Sequence, residues 1–246
     1  KKITALVLAL FFLFTPTAFA ADRVSPWAKD YIEAGYAIGI IADKGDSDFT
    51  VPMTRMEFCE IASNIYSYIL NEDVAEAARR LGLATNTSLF RDVNSESVNL
   101  LAALGVINGK GAGKFAPYDG ITREEAAKIL YGMAESLNIG RATEEVGFAD
   151  RGNISSWAAT PVDFVYAADI MKGVSATHFS PKGVYTREQS VTTFLRLAYF
   201  AEIMSEYGKD IMLRSLIAPE QPIPGDPIVP EVPPQPEIPE VPSQSE

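Results

Sequence analysis

The sequence predicts a mostly helical protein in which three helix–loop–helix units share one core, flanked by a leader and a proline-rich tail. Three observations carry that prediction. A Thr-Arg-x-Glu/Gln box opens an apolar helix three times, at Thr54-Arg55-Met56-Glu57, Thr122-Arg123-Glu124-Glu125 and Thr186-Arg187-Glu188-Gln189. The Arg-to-Arg spacings are nearly equal, at 68 and 64 residues, and internal periodicity of this size marks a repeat architecture. Each box also lies behind a glycine-rich loop and a Phe at fixed spacing: Gly39 to Phe49, Gly105 to Phe115 and Asp169 to Phe179 are each ten residues.

The chain of 246 residues opens on Lys1 and Lys2, an apolar run from Ile3 to Phe14, Pro16, and a small-x-small triplet Ala18-Phe19-Ala20. That is the layout of a secretory signal peptide over residues 1–20. The run is too short for a bilayer, which needs about 20 apolar residues. The expectation is therefore an exported mature chain that starts near Ala21 and has no transmembrane segment. The only cysteine is Cys59, so an internal disulfide is excluded. Its repeat counterparts are Ala127 and Val191, so it reads as a small core residue.

Net charge is −11, of which Lys1 and Lys2 supply +2, residues 219–246 supply −6, and the region between supplies −7. No basic face is available to displace counterions from a phosphate backbone, which argues against nucleic acid as partner.

Repeat 1 spans residues 24–70, repeat 2 spans 90–139 and repeat 3 spans 148–207. In each, a short helix comes first. Asp30, with Glu33 three residues on, reads as the cap in repeat 1; Thr160 with Pro161 at the first helical position reads as the cap in repeat 3. Gly39 and Gly105 suit a left-handed stop, and Asp169 substitutes for them in repeat 3. The loops Asp43-Lys44-Gly45, Asn108-Gly109-Lys110-Gly111-Ala112-Gly113 and Lys172-Gly173 follow. The second helix begins at the Thr box, where the Thr hydroxyl and the Glu three residues on form a reciprocal cap. Residues 71–89 connect repeats 1 and 2 and include an extra helix, with Ala75, Ala78 and Leu81 on one face. Residues 219–246 hold ten prolines and no Lys or Arg, the composition of an extended or disordered spacer.

The arginine of each box sits in the first helical turn, where the dipole makes a cation cost about 0.3–1 kcal/mol. Placed against the dipole three times, Arg55, Arg123 and Arg187 call for a role other than helix stability. An Arg fork at a helix N-terminus with free N–H groups suits a carboxylate; a bond to a neighbouring repeat's acid or loop carbonyl is the alternative. Trp27 and Trp157 hold equivalent positions, 12 residues before Gly39 and Asp169, and fit either core packing or the face of a sugar.

These residues resemble the surface-layer homology family, whose pattern runs Phe-x-Asp, Trp, an apolar helix, a Gly loop, Phe-x-Pro and Thr-Arg-Ala-Glu. Repeat 2 shows Phe90-Arg91-Asp92, Gly105-Val106 and Phe115-Ala116-Pro117; repeat 3 shows Phe148-Ala149-Asp150, Trp157 and Phe179-Ser180-Pro181; repeat 1 shows Trp27 and Gly39-Ile40. The resemblance implies a pseudo-threefold all-α assembly. It implies a secreted cell-wall anchor at the cell surface that binds secondary cell-wall polysaccharide, often pyruvylated, in grooves between repeats. The ligand residues it implies are Arg55, Arg123, Arg187, Trp27, Trp157 and the loop glycines Gly45, Gly109, Gly111 and Gly173. Peptidoglycan as the partner, or self-assembly of a surface lattice, are its alternatives. The chain departs from the pattern in three places. Repeat 2 has no Trp and a first segment six residues shorter; repeat 1 has no Phe-x-Asp; and the Ala after the Arg is Met56, Glu124 and Glu188.

Catalysis is not expected. The single histidine, His178, lies in a loop whose counterparts are Asp48 and Lys114, and no metal-ligand spacing, nucleophile set or phosphate loop occurs. No cofactor is implied.

Overall fold

The computed structural model describes residues 23–42, 47–80, 82, 89–141 and 143–217. The leader 1–20, Gly45 and the proline-rich segment 219–246 lie outside the described residues. The chain divides into two compact parts, Lys1–Glu202 and Ile203–Glu246. Repeats 1 and 2, and repeat 3 as far as Glu202, lie in the first; of the second, the described residues are the continuation of the last helix.

Among the described residues there are seven α-helices: α1 (Lys29–Ala37), α2 (Arg55–Leu70), α3 (Val74–Arg80), α4 (Glu96–Ala103), α5 (Arg123–Ser136), α6 (Ala159–Ala167) and α7 (Arg187–Ile217). Helices α2, α5 and α7 are the long second helices, and each starts at the residue after its box threonine. At α2 the Glu57 N–H donates to the Thr54 hydroxyl at 3.2 Å, and the Thr54 N–H donates back to the Glu57 carboxylate at 2.9 Å. Thr122 and Glu125 repeat this at α5. At α7 the neutral Gln189 does the same work: its N–H donates to the Thr186 hydroxyl at 3.3 Å, and its carbonyl oxygen accepts from the Thr186 N–H at 3.1 Å.

The first helices α1 and α6 begin otherwise than the sequence suggests. Their caps are Ala28 and Ala158, with no side-chain hydrogen bond, so Asp30 and Thr160 are not caps. A 3-10 turn precedes each, Pro26–Ala28 and Ser156–Ala158, and carries the chain into the helix. Pro161 then falls third in α6, still inside the first turn, where its missing N–H is tolerated. Repeat 2 has no such turn, and α4 is entered directly from Ser95. The residues missing from its first segment are therefore missing from this entry. The stops are as expected: Gly39, Gly105 and Asp169 have φ of 75°, 73° and 59°.

A backbone ring closes the three repeats on one another. The Met53 N–H donates to the Tyr185 carbonyl at 2.9 Å, the Tyr185 N–H to Ile121 at 3.0 Å, and the Ile121 N–H to Met53 at 2.9 Å. All three side chains are buried, so the ring satisfies polar groups that have no access to water. Isolated β-bridges flank it: Thr54 with Gly120, Thr122 with Val184, and Pro52 with Thr186. Around this axis the core runs continuously from Ile32 to Leu197, with Phe58 of α2 and Phe194 of α7 meeting at 4.5 Å between ring centroids. Cys59 lies in this core, and burial pushes its thiol up to about 12.

Candidate functional site: the junctions between repeats

Each long helix points its N-terminus into the loop of the next repeat. The Arg55 and Met56 N–H groups donate to the Asp119 and Pro117 carbonyls, those of Arg123 and Glu124 to Gly183 and Pro181, and those of Arg187 and Glu188 to Val51 and Phe49, all at 2.9–3.0 Å. The expectation of free first-turn N–H groups is thus corrected. The next repeat's carbonyls occupy two donors, and the cap threonine takes another at each of the three helices.

The arginine side chains go the same way. Arg55 is 4 % exposed; its Nε donates to the Phe115 carbonyl at 3.0 Å, its Nη2 to Asn108 at 3.3 Å, and its Nη1 lies 3.2 Å from Glu125. Arg123 is 5 % exposed and donates from Nε to Phe179 at 2.7 Å and from Nη2 to Lys172 at 2.5 Å. Their guanidinium carbons lie 4.6 and 4.7 Å over the rings of Phe115 and Phe179. Arg187 is more open, bonded at 3.4 Å to the Asp48 carbonyl and paired with Glu57. This is the loop-carbonyl alternative, and it explains why a cation sits against the dipole three times: the charge is spent holding the next repeat's loop.

The acid that meets each arginine is the capping glutamate of the following box. Arg187 meets Glu57 and Arg55 meets Glu125. For Arg123 the corresponding residue is the neutral Gln189, and among the described residues Arg123 makes no ion pair. Burial pulls its guanidinium below its ordinary value, opposed by the field of Tyr185 and Asp150. At Glu57, partial burial raises the carboxyl, but the Thr54 N–H and hydroxyl and the Arg187 cation together leave it below the usual carboxylate range.

A second clasp joins the junctions at the residue after the arginine. Both Glu188 oxygens accept from Ser25, its N–H at 2.9 Å and its hydroxyl at 2.8 Å. Glu124 does the same for Ser155, at 3.0 Å each, and also takes the Lys182 ammonium. At the junction of repeats 1 and 2 the residue is Met56, which has no carboxylate to offer. Sequence reasoning missed these clasps, although their signal was visible as the column Met56, Glu124, Glu188 where the family pattern has Ala.

Within repeats 2 and 3 the Phe-x-Asp acid holds its own loop. Asp92 accepts from the Phe115 and Ala116 N–H groups at 2.8 and 2.9 Å, and Asp150 from Phe179 and Ser180 at 2.9 and 2.7 Å. The bond from the Phe115 N–H leads in lowering the Asp92 carboxyl. At Asp150 burial acts upward, and the two N–H groups outweigh it.

The remaining candidates are placed as follows. Trp157 stands half-exposed on the 3-10 turn beside Ser155, and Trp27 is partly buried on the matching turn of repeat 1. Gly109 and Gly173 are required by packing: a Cβ on Gly173 would lie 2.4 Å from the Ser175 carbonyl oxygen, and one on Gly109 would lie 2.5 Å from that of Lys114. Gly111 has φ of 96° with open space about it. An open depression of about 270 Å³ lies by Lys182, lined also by Asp150, Asn153, Ser180, Pro181 and Gly183. His178 is an exposed loop residue beside the Thr177 hydroxyl. Among the described residues no His/Cys/Asp/Glu group could hold a metal, and no helix is long and apolar enough to cross a membrane.

The model of the S-layer homology domain matches residues 91–127 and 147–189. These segments contain the second and third boxes. The Surface-layer 125 kDa protein of Lysinibacillus sphaericus is 28% identical over 196 residues, covering 74% of this chain and 15% of that protein. An Endoglucanase of Bacillus sp. (strain KSM-635) is 26% identical over 190 residues, 74% of this chain and 19% of that protein. Exoglucanase XynX of Acetivibrio thermocellus is 32% identical over 126 residues, 49% of this chain and 11% of that protein. The chain thus spans under a fifth of the length of each of these relatives.

Proposed function

We propose that this chain, which belongs to the S-layer homology domain family, is the non-catalytic anchoring module of an exported protein. It holds its protein to the cell wall by binding an anionic, pyruvylated wall polysaccharide in the grooves between repeats. The observation that carries the reading is the half-exposed Trp157 at a junction clamped by Glu124 and Ser155. A large aromatic face left open where two rigid units meet, with a polar rim beside it, suits the apolar face and hydroxyls of a sugar. Trp27 is the equivalent platform between repeats 3 and 1.

In this reading Arg55, Arg123 and Arg187 serve the ligand by fixing the loops that border the grooves, and Gly109, Gly111 and Gly173 by keeping those loops low. Similarity to a surface-layer protein and to glucanases, each over a small fraction of its length, supports a shared attachment function, since differently named proteins share this segment.

The test is co-sedimentation with purified cell-wall sacculi before and after chemical removal of wall polysaccharide. Binding lost on stripping supports the proposal; equal binding to stripped sacculi would move the partner to peptidoglycan.

A further inference from the structure

We infer that repeat 1 opens from the ring at its junction with repeat 3, ahead of the other two junctions, and that residues Arg23–Ser25 are the strap that locks this junction shut. Residues 71–89 tie repeat 1 to repeat 2 and residues 140–147 tie repeat 2 to repeat 3, but repeat 3 closes on repeat 1 through non-covalent contacts alone.

The loop that receives α7 depends on the strap. The Arg23, Arg91 and Ala149 N–H groups donate to the Ser47, Gly113 and Thr177 carbonyls at 2.8–3.0 Å, which makes the three residues equivalent. The residue after each is Asp92 in repeat 2 and Asp150 in repeat 3, where it grips two N–H groups of its loop. In repeat 1 it is Val24, which has no acceptor on its side chain. The Phe49 N–H instead donates to the Arg23 carbonyl at 2.8 Å, and Arg23 pairs with Asp48 at 3.3 Å from an exposed side chain. This loop supplies the Phe49 and Val51 carbonyls that accept from the first turn of α7.

The clasp depends on the strap as well. Glu188 is 5 % exposed, and the partners of its carboxylate are the Ser25 N–H and hydroxyl, with no ion pair among the described residues. Glu124, at the next junction, has the Lys182 ammonium besides Ser155. Undocking the strap therefore strands a buried carboxylate, so the strap and the junction release together. Arg187 adds little hold: it reaches its loop carbonyl at 3.4 Å, where Arg55 and Arg123 reach theirs at 2.5–3.3 Å.

The packing beside the clasp also favours opening. Glu188, Thr192 and Arg196 are four residues apart and share one face of α7. That face meets α1, where Val191 lies against Gly35 and the Arg196 guanidinium lies 5.4 Å from the Tyr31 ring. The Thr192 hydroxyl and the Arg196 Nε are buried there without hydrogen-bond partners. Opening gives both groups to water and relieves a cost that the closed junction carries. Segments with such local deficits open below the global unfolding limit.

Native-state hydrogen exchange on the full chain tests this. The Met53, Arg187 and Glu188 amides bond across the junction of repeats 3 and 1; those of Arg55, Met56 and Ile121 bond across that of 1 and 2, and those of Arg123, Glu124 and Tyr185 across that of 2 and 3. In wild type the first set should exchange at least about tenfold faster than the other two; equal rates overturn the inference. Ser25 has φ −64° and ψ 143°, so Ser25→Pro fits the backbone while deleting both donors to Glu188. It should speed the first set by about another tenfold, the scale of hydrogen bonds to a charged group, and leave the others unchanged. Equal acceleration at all three junctions, or none, overturns the strap. Adding Glu188→Met, the residue that repeat 1 carries as Met56, removes the stranded charge and should restore most of the protection; exchange as fast as in Ser25→Pro alone overturns the role of Glu188. Should Ser25→Pro fail to fold, Ser25→Ala carries the test, with a several-fold acceleration confined to the first set; a uniform change or none overturns the strap.

Discussion

The Arg123 Nε donates to the carbonyl oxygen of Phe179, 56 residues away, at 2.7 Å, and the same guanidinium lies over the Phe179 ring. One side chain thereby fixes both the backbone and the ring of the next repeat's loop. Arg123→Ala leaves the Phe179 and Lys172 carbonyls without this donor and should destabilise by about 2–4 kcal/mol. Arg187→Ala, at the more open junction, should cost about 1 kcal/mol or less. Urea unfolding of both variants checks the order, and equal losses would contradict it.

Arg123 is the box arginine that faces a glutamine in the following box. Gln189→Glu should give it the carboxylate that Arg55 and Arg187 already have, raising stability by about 1 kcal/mol while keeping the α7 cap. Thermal unfolding near neutral pH reads this directly. A lowered midpoint would mean that the Arg123 site does not accept a second charge.

The Glu124–Ser155 clasp should appear as coupling. Glu124→Ala and Ser155→Ala should each destabilise, and the double variant should cost less than their sum by about 0.5–1.5 kcal/mol. Strict additivity would show that the two residues do not act as a pair.

The acids of the Phe-x-Asp openings give a pH signature. Asp92 and Asp150 have folded values below the ordinary 3.8, so the stability they lend is complete above that value and is lost as pH falls through their lower folded values. Glu57 behaves likewise from its ordinary 4.5 downward. The thermal midpoint should hold from neutral pH to about 5 and drop steeply below 4. Asp150→Asn should flatten part of that drop, and an unchanged acid limb would contradict the assignment.

Gly173→Ala should destabilise by about 1–3 kcal/mol, because the new methyl meets a carbonyl oxygen at 2.4 Å. At Gly152 a Cβ meets nothing within 4 Å, and Gly152→Ala should be neutral. Denaturation midpoints of the pair decide whether the loop glycine serves packing.

What was legible in the sequence follows from how local each signal is. The threonine boxes need only residues three apart, and the left-handed stops need only one, so both were readable. The helix entries at Asp30 and Thr160 were misread because a 3-10 turn shifts the cap to an alanine while the acceptor for Ser25 or Ser155 comes from another repeat. The arginines announced that they needed a partner, but their acceptors are backbone carbonyls, which carry no side-chain signature. The glutamates after Arg123 and Arg187 were visible as a departure from a pattern, and only the fold shows that they grip the start of the next repeat.

The central claim, a wall polysaccharide bound at the junctions between repeats, is tested most directly by tryptophan fluorescence. Polysaccharide released from sacculi should change the emission of the full chain saturably, and Trp157→Ala, with an unchanged thermal midpoint, should lose most of that change and weaken binding. A signal that polysaccharide leaves unaltered at every concentration, or a Trp157→Ala chain that binds as wild type does, would contradict the account.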